Sequence, residues 1–198
     1  MARSSYHLVR AALLILAASA ARAQQPVPAG ADSAAFAQAT ALIAGFKAES
    51  YDRMTPMLDP MIVRSIGGIA GIRRVLIGAL DRELRNSGRG GRGEPEVIDV
   101  WVDSLLSILR TKKEVQCTLP LHVVVAGGDP YYCGTSTIAG YSSDNGVSWR
   151  FIIESIGTLE SLRSMHSDFS SALRTVPVQV GVCDVARREA PKREEEEE

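Results

Sequence analysis

Cysteine is scarce in this chain: Cys117, Cys133 and Cys183 are the three among 198 residues. That is too few for a disulfide-built scaffold, and an odd count leaves at least one unpaired within a monomer. None sits in a CxxC or beside a His/Cys cluster, which argues against a zinc site. Histidine is equally sparse, with His7, His122 and His166 the whole inventory. Net charge is nearly absent, 22 Lys and Arg against 23 Asp and Glu. Long apolar runs are missing too: Ala11 to Ala20 falls well short of the ~20 residues that span a bilayer. No Ser/His/Asp grouping, phosphate-binding Gly loop or metal-spaced cluster appears, so no cofactor is implied.

What the chain does have is an export pattern. Arg3, His7 and Arg10 precede an apolar stretch around Leu13, Leu14, Ile15 and Leu16, and Ala21-Arg22-Ala23 closes it. A basic region, a short apolar core and small residues at a cleavage site predict a signal peptide over 1–23. The mature chain is expected to begin near Gln24 and to reach the periplasm or the extracellular space without a membrane anchor. The first cysteine is Cys117, which excludes a lipid-anchored N-terminal cysteine. Loss of Arg3, Arg10 and Arg22 leaves 19 basic against 23 acidic residues, and Glu194 to Glu198 supply five of the acids. The body therefore carries no field that would recruit nucleic acid or an anionic membrane.

Patterning predicts a spacer at 24–30, one α+β domain over 31–183, and a disordered charged tail over 184–198. Asp32 or Ser33 is placed to cap a helix with Phe36, Ala39, Ile43 and Phe46 inward. Ser50 starts a shorter segment with Tyr51, Met54 and Leu58 inward, and Pro56 and Pro60 break its continuation. Ile69, Ile72, Leu76, Leu80 and Leu84 form the clearest helical stripe. Asn86 to Gly93 reads as a flexible connector.

From Pro95 the period changes from 3.6 to 2. Val115, Cys117, Leu119, Leu121, Val123 and Val125 alternate with a more polar set that includes His122. Pro120 within that polar set implies a bulge or an edge. Turns at Gly127 to Pro130 and at Asp144-Asn145-Gly146 return the chain twice. An even-membered first loop pairs Cys117 with Gly140, Leu119 with Ile138 and Val125 with Tyr132. A tight Asn145-Gly146 loop pairs Ile138 with Ile153, Gly140 with Phe151 and Ser142 with Trp149. Both registers put apolar alternates on one face, as a one-sided sheet requires. A last amphipathic helix is expected from about Leu159, capped by Thr158, with Leu162, Met165, Phe169 and Leu173 inward. Val176 to Val182 reads as a short edge strand.

The register also sorts the cysteines. Cys117 falls on the apolar face beside Gly140, and Cys133 falls on the opposite face beside Val124. Their offset along the strands amounts to roughly 23 Å at ~3.3 Å per residue, whereas a disulfide needs Cα atoms within about 4.4–6.8 Å. Cys117 is expected as a buried thiol, which leaves Cys133 and Cys183 as the candidate bridge.

Helices followed by a curved antiparallel meander resemble the nuclear-transport-factor-2-like (cystatin-like α+β cone, SnoaL-like) superfamily. Tyr141 to Phe151 resembles the Ser-x-Asp-x-Gly-x-Thr-Trp hairpin of exported bacterial members, with Ser148 where Thr is usual. Leu162 to Pro177 looks like the helical extension that follows it. The resemblance implies N-terminal helices packed on a cone-shaped sheet, with a C-terminal helix. The same hairpin is similar to the Asp-box turn of sialidase propellers, but one copy without internal repeat makes no propeller. In either setting Ser142, Asp144, Gly146 and Trp149 are read as structural: side chains bond turn amides, Gly146 takes a positive φ, and Trp149 packs beneath.

Such folds host isomerases, dehydratases, cyclases and hydrolases as well as binding modules, so fold alone does not choose. His122 lies on the polar face, His166 flanks the late helix, and Asp99, Asp103 and Glu114 read as strand-end or solvated carboxylates. The apolar face of the strand from Tyr132 is instead lined by small residues, Gly134, Ser136 and Gly140, beside Tyr132 and Ile138. Those positions give either close packing or an apolar pocket. The leading expectation is an exported, non-enzymatic module that binds a small apolar molecule or a protein partner. The alternatives are a cone-fold enzyme using an unassigned Asp or Tyr, and a structural envelope protein that forms a homodimer through its sheet.

Overall fold

The computed structural model describes residues 25–65, 71, 96–126, 131–156, 160, 163, 164 and 166–183. The expected signal, the stripe from Ile69 to Leu84, the connector at 86–93, the turn at 127–130 and the tail from 184 lie outside the described residues.

Helix α1 (Ala31–Lys47) starts at Gly30, whose φ of 79° turns the chain into the first turn without a side-chain cap. Asp32, expected to cap, lies within that turn, where its charge complements the helix dipole. The buried stripe is Ala31, Ala35, Ala39, Leu42, Ile43 and Phe46, while Phe36 is 40% exposed rather than inward. Small residues at the start let the helix lie close to the 143–149 loop. Ser50 precedes α2 (Tyr51–Met54), and Met54 and Leu58 are buried as the pattern requires. Pro60 does not only interrupt: it opens α3 (Pro60–Ser65), at a position where its missing N–H costs nothing. Asp59 caps that helix, its Oδ1 accepting the Met61 N–H at 2.7 Å.

Six antiparallel strands follow: β1 (Glu96–Val102), β2 (Ser107–Arg110), β3 (Val115–Ala126), β4 (Tyr132–Ser142), β5 (Arg150–Ile156) and β6 (Gln179–Val182). β3 and β4 form the centre, and each outer lane is shared by two strands. β1 and β2 lie end to end along β3; β6 and β5 lie end to end along β4. Pro120 accounts for the break between β1 and β2. Its carbonyl accepts the Asp103 N–H at 3.0 Å, so its nitrogen faces the same lane and has no hydrogen to give. The ladder resumes at Leu106, which donates to the Thr118 carbonyl.

The β3–β4 register pairs Cys117 with Gly140, Leu119 with Ile138 and Val125 with Tyr132. In the second hairpin Gly140 pairs with Phe151 and Tyr141 with Arg150. Two corrections apply there. The connection is not a tight turn but the loop 143–149, and the eight residues between the paired Tyr141 and Arg150 keep the expected register. A register shift between Thr137 and Ala139 also ends the expected pairing before Ile138 and Ile153, with Thr137 opposite Ile156.

One face packs on α1 through Val115, Cys117, Leu119, Leu121, Ile138 and Phe151. Full burial of side chains of this size is worth about 1.5–3 kcal/mol each. The other face was expected to be solvated, and over half its length it is not. Gln116, Thr118 and Thr137 are buried there beneath residues 166–178. That segment is not the expected helix. Glu160, Arg163 and Ser164 are helical, Thr158, Leu159, Leu162 and Met165 lie outside the described residues, and turns take over from His166. Ser167, Asp168, Ser170 and Ser171 are weak helix formers that compete for backbone groups. The sheet's own side chains satisfy those groups instead. Phe169 and Leu173 are still buried, against Leu109, Ala139 and Ile152.

Candidate functional site

The small residues expected to line a pocket are placed as follows. Tyr132 is buried against Val125, with Val97, Val123 and Val180 around it. Gly134 is buried and Ser136 half-buried on the same face of β4. At Gly140 a Cβ would lie 2.7 Å from a Phe151 ring carbon and 3.0 Å from Cys117 Sγ. Glycine there serves close packing, and Phe151 fills the space. Burial pushes the Cys117 thiol well above its ordinary range.

Among the described residues a cleft lies elsewhere, where the end of α1 meets β1. It has a volume of about 370 Å³, and its apolar wall is Phe46, Tyr51, Val97, Ile98 and Val100. Two local features shape it. Glu49 adopts φ 52°, a left-handed position usually given to glycine at helix ends. This lets the Glu49 N–H reach the Phe46 carbonyl and the Ser50 N–H reach that of Gly45. Opposite, a bulge between Val97 and Asp99 leaves Ile98 without a β3 partner and 49% exposed. Bulges of this kind re-aim side chains, often beside functional sites. Asp99 is turned toward α1, where its Oδ1 accepts Lys47 Nζ at 2.5 Å and the Val100 N–H at 2.8 Å. The result is an open hollow with apolar side chains at its base and the charged Lys47, Glu49 and Asp99 around it, of a size to hold a small molecule.

The other half of the outer face, along β1 and the start of β4, holds a second cluster. His122 stacks on Trp101 with ring centroids 5.0 Å apart and an interplanar angle of 14°. Its Nδ1 lies 3.2 Å from Thr135 Oγ1, and its Nε2 lies 3.8 Å from Asp103 Oδ2. Asp103 also accepts the Ser104 N–H, which makes it a strand-end carboxylate. Cys133 and Cys183 form a disulfide on this side of the sheet, with Cα atoms 5.2 Å apart.

A third cluster joins residues that the sequence did not bring together. Tyr141 Oη donates to Asp59 Oδ2 at 2.7 Å, and the Tyr141 ring lies 4.8 Å from His166 and 6.2 Å from Phe169. Burial first, then the bond to Asp59, raises the phenol well above its usual range. Glu114 accepts Gln116 Nε2 at 2.6 Å nearby. The Asp-Pro pair at 59–60, a helix-start signature, could have flagged Asp59 as a cap. Nothing in the sequence places it beside Tyr141.

In the hairpin loop Ser142 Oγ donates to Asp144 Oδ1 at 2.7 Å and accepts the Gly146 N–H at 2.8 Å. Asp144 accepts the hydroxyl and the amide of Ser148 at 2.5 and 2.9 Å. Trp149 is buried, its Nε1 donating to the Gly146 carbonyl at 3.0 Å. Gln38 of α1 clamps the loop, donating to the Val147 carbonyl and accepting the Trp149 N–H. Gly146 has φ 87°, and a Cβ there would lie 2.4 Å from Ala31 Cβ. Each of these contacts holds the loop to the fold.

Neither a family model, nor a curated protein, nor a solved structure matches the chain.

Proposed function

We propose that the chain is an exported, non-enzymatic binding module of the nuclear-transport-factor-2-like cone type. Its ligand is a small, mainly apolar molecule, held in the cleft between the end of α1 and β1. The observation that carries this reading is the cleft itself, where Phe46, Tyr51, Val97, Ile98 and Val100 stand beside the charged Lys47, Glu49 and Asp99. Its volume suits a compact ligand, and the Lys47–Asp99 pair gives a polar end something to face. A binding role also fits the remaining polar groups. Asp59 caps a helix and holds Tyr141, and Asp144 organises a loop, so both serve packing. An enzyme using either of them would require it to leave those contacts and reach a substrate.

A titration of the isotopically labelled protein with neutral probes (indole, cyclohexanol, toluene) tests the site by amide shifts. Saturable shifts are expected at Lys47 to Tyr51 and at Val97 to Val100. Ile98→Trp, at an exposed position, should fill the cleft and abolish them without lowering the melting temperature. Shifts centred on Tyr132, Gly134 and Ser136, or no saturation with any probe, would overturn the assignment.

The stacked, half-buried Trp101 and His122 support a second reading, a protein partner on this half of the outer face. Exposed Tyr131 and Val182 border the same region. The homodimer alternative would use this surface, and it predicts a concentration-dependent sedimentation coefficient that Trp101→Ala removes.

A further inference from the structure

Residues 166–183 are fastened to the outer face by two quite different kinds of attachment. Over 166–178 the segment makes no ladder with the sheet. Sheet side chains grip its backbone instead. Gln116 donates to the Asp168 carbonyl and accepts the Ser170 N–H, both at 2.9 Å. Thr118 donates to the Arg174 carbonyl at 2.7 Å, and the Arg174 N–H donates to Ser107 Oγ at 3.1 Å. Thr137 both donates to and accepts from Val176, at 3.2 and 2.9 Å. Phe169 and Leu173 are its fully buried apolar side chains. Water can replace each polar contact when the segment lifts, so the net gain from each is small. Ordering the backbone of such a stretch, by contrast, costs entropy at every residue.

The second attachment is covalent. β6 adds a short ladder to β4 from Tyr132 to Thr135, and Cys183 then closes the bridge to Cys133. Both cysteines are only half-buried, so a reductant can approach them. Over 166–178 the segment has two buried apolar side chains and no backbone ladder, and a segment with so few buried apolar contacts opens below global unfolding.

We infer that residues 166–183 form a releasable strap, latched by Cys133–Cys183, that covers the outer sheet face when oxidised and uncovers it when reduced. The reductant is a dithiol. One of its thiolates attacks a sulfur of the bridge, giving a mixed disulfide and releasing the other cysteine as a thiolate. Its second thiol then displaces the remaining cysteine. Two electrons and two protons pass to the protein, leaving two cysteine thiols and an oxidised dithiol. Release uncovers Leu109, Ala139 and Ile152 together with the polar Gln116, Thr118 and Thr137. Cys117 takes no part, being buried on the opposite face. The inference stands apart from the cleft, which lies at the end of α1.

Amide hydrogen exchange tests it on three samples: the oxidised protein, the same protein reduced with dithiothreitol, and Cys133→Ser/Cys183→Ser. The amides at 170, 174, 176 and 183 should exchange at least tenfold faster in the reduced protein and in the variant. The amides of Cys117, Leu119 and Ile138 should keep their oxidised rates. Unchanged protection across 170–183 overturns the latch. Equal acceleration of strap and sheet also overturns it, because the bridge would then staple the whole domain. Should the variant fail to fold, the reduced wild-type protein decides between these outcomes.

Discussion

Among the described carboxylates, Asp144 is held well below its ordinary range by the loop around it. The Ser148 hydroxyl first, then the Ser148 amide and the Ser142 hydroxyl, stabilise its carboxylate and hold its pKa at about 2 against an ordinary 3.8. A carboxyl depressed on folding contributes stability that is complete above the unfolded value and fades as pH falls through the folded one. The contribution should therefore be intact above about pH 4 and disappear as pH falls toward about 2. Asp144→Asn should flatten that part of the curve, measured by urea unfolding at a series of pH values. An acid limb identical in the two proteins would mean that these bonds give no charge-dependent stability. Tyr141 shows the complementary case. Burial and Asp59 keep it a neutral donor, so it contributes a hydrogen bond with no titration near neutrality.

Among the elements, β3 and β4 were legible in the sequence because alternation is a local signal and both loop parities are local as well. Pro120 announced an interruption, and its missing N–H faces the lane where β1 ends and β2 begins. What covers the outer face was not legible. Gln116, Thr118 and Thr137 look like solvated alternates until the chain brings residues 168–176 over them, at sequence separations as large as 56. Periodicity in 162–173 suggested a helix because Phe169 and Leu173 are spaced for one, yet burial needed only their positions. The cleft was hidden for a related reason. It depends on a bulge at Ile98 and a left-handed Glu49, neither of which has a residue-type signature here. Thr137→Val tests the strap's grip, since it preserves shape but strips both partners from Val176. The cost should be about 1–3 kcal/mol for lost bonding at a fully buried position. Chemical denaturation should show it, together with faster exchange of the Val176 amide. A neutral result would mean that water or a neighbouring group takes over both bonds.

For the whole molecule, the question is how a chain of near-zero net charge, with a proposed leader and one bridge, is delivered and closed. The proposed cleavage after Ala23 leaves Gln24 at the new terminus. Gln25 pairs with Arg110 in an isolated antiparallel bridge at the free edge of β2. Residues 25–31 are thereby docked, with Val27 against the core and the Ala31 N–H bonded to the Pro28 carbonyl. Covering β2 in this way also blunts an edge that would otherwise invite pairing with another chain. Uncleaved precursor would carry its apolar run next to that edge. Mature protein should therefore be the form in which the sheet closes and Cys133 meets Cys183 in an oxidising compartment. Mass spectrometry of exported, non-reduced protein should find a terminus at Gln24 and a peptide joining Cys133 to Cys183, with Cys117 still open to alkylation once unfolded. An intact Met1 on exported material would defeat the signal reading. A peptide joining Cys117 to either other cysteine would defeat the register on which the two faces of the sheet were assigned.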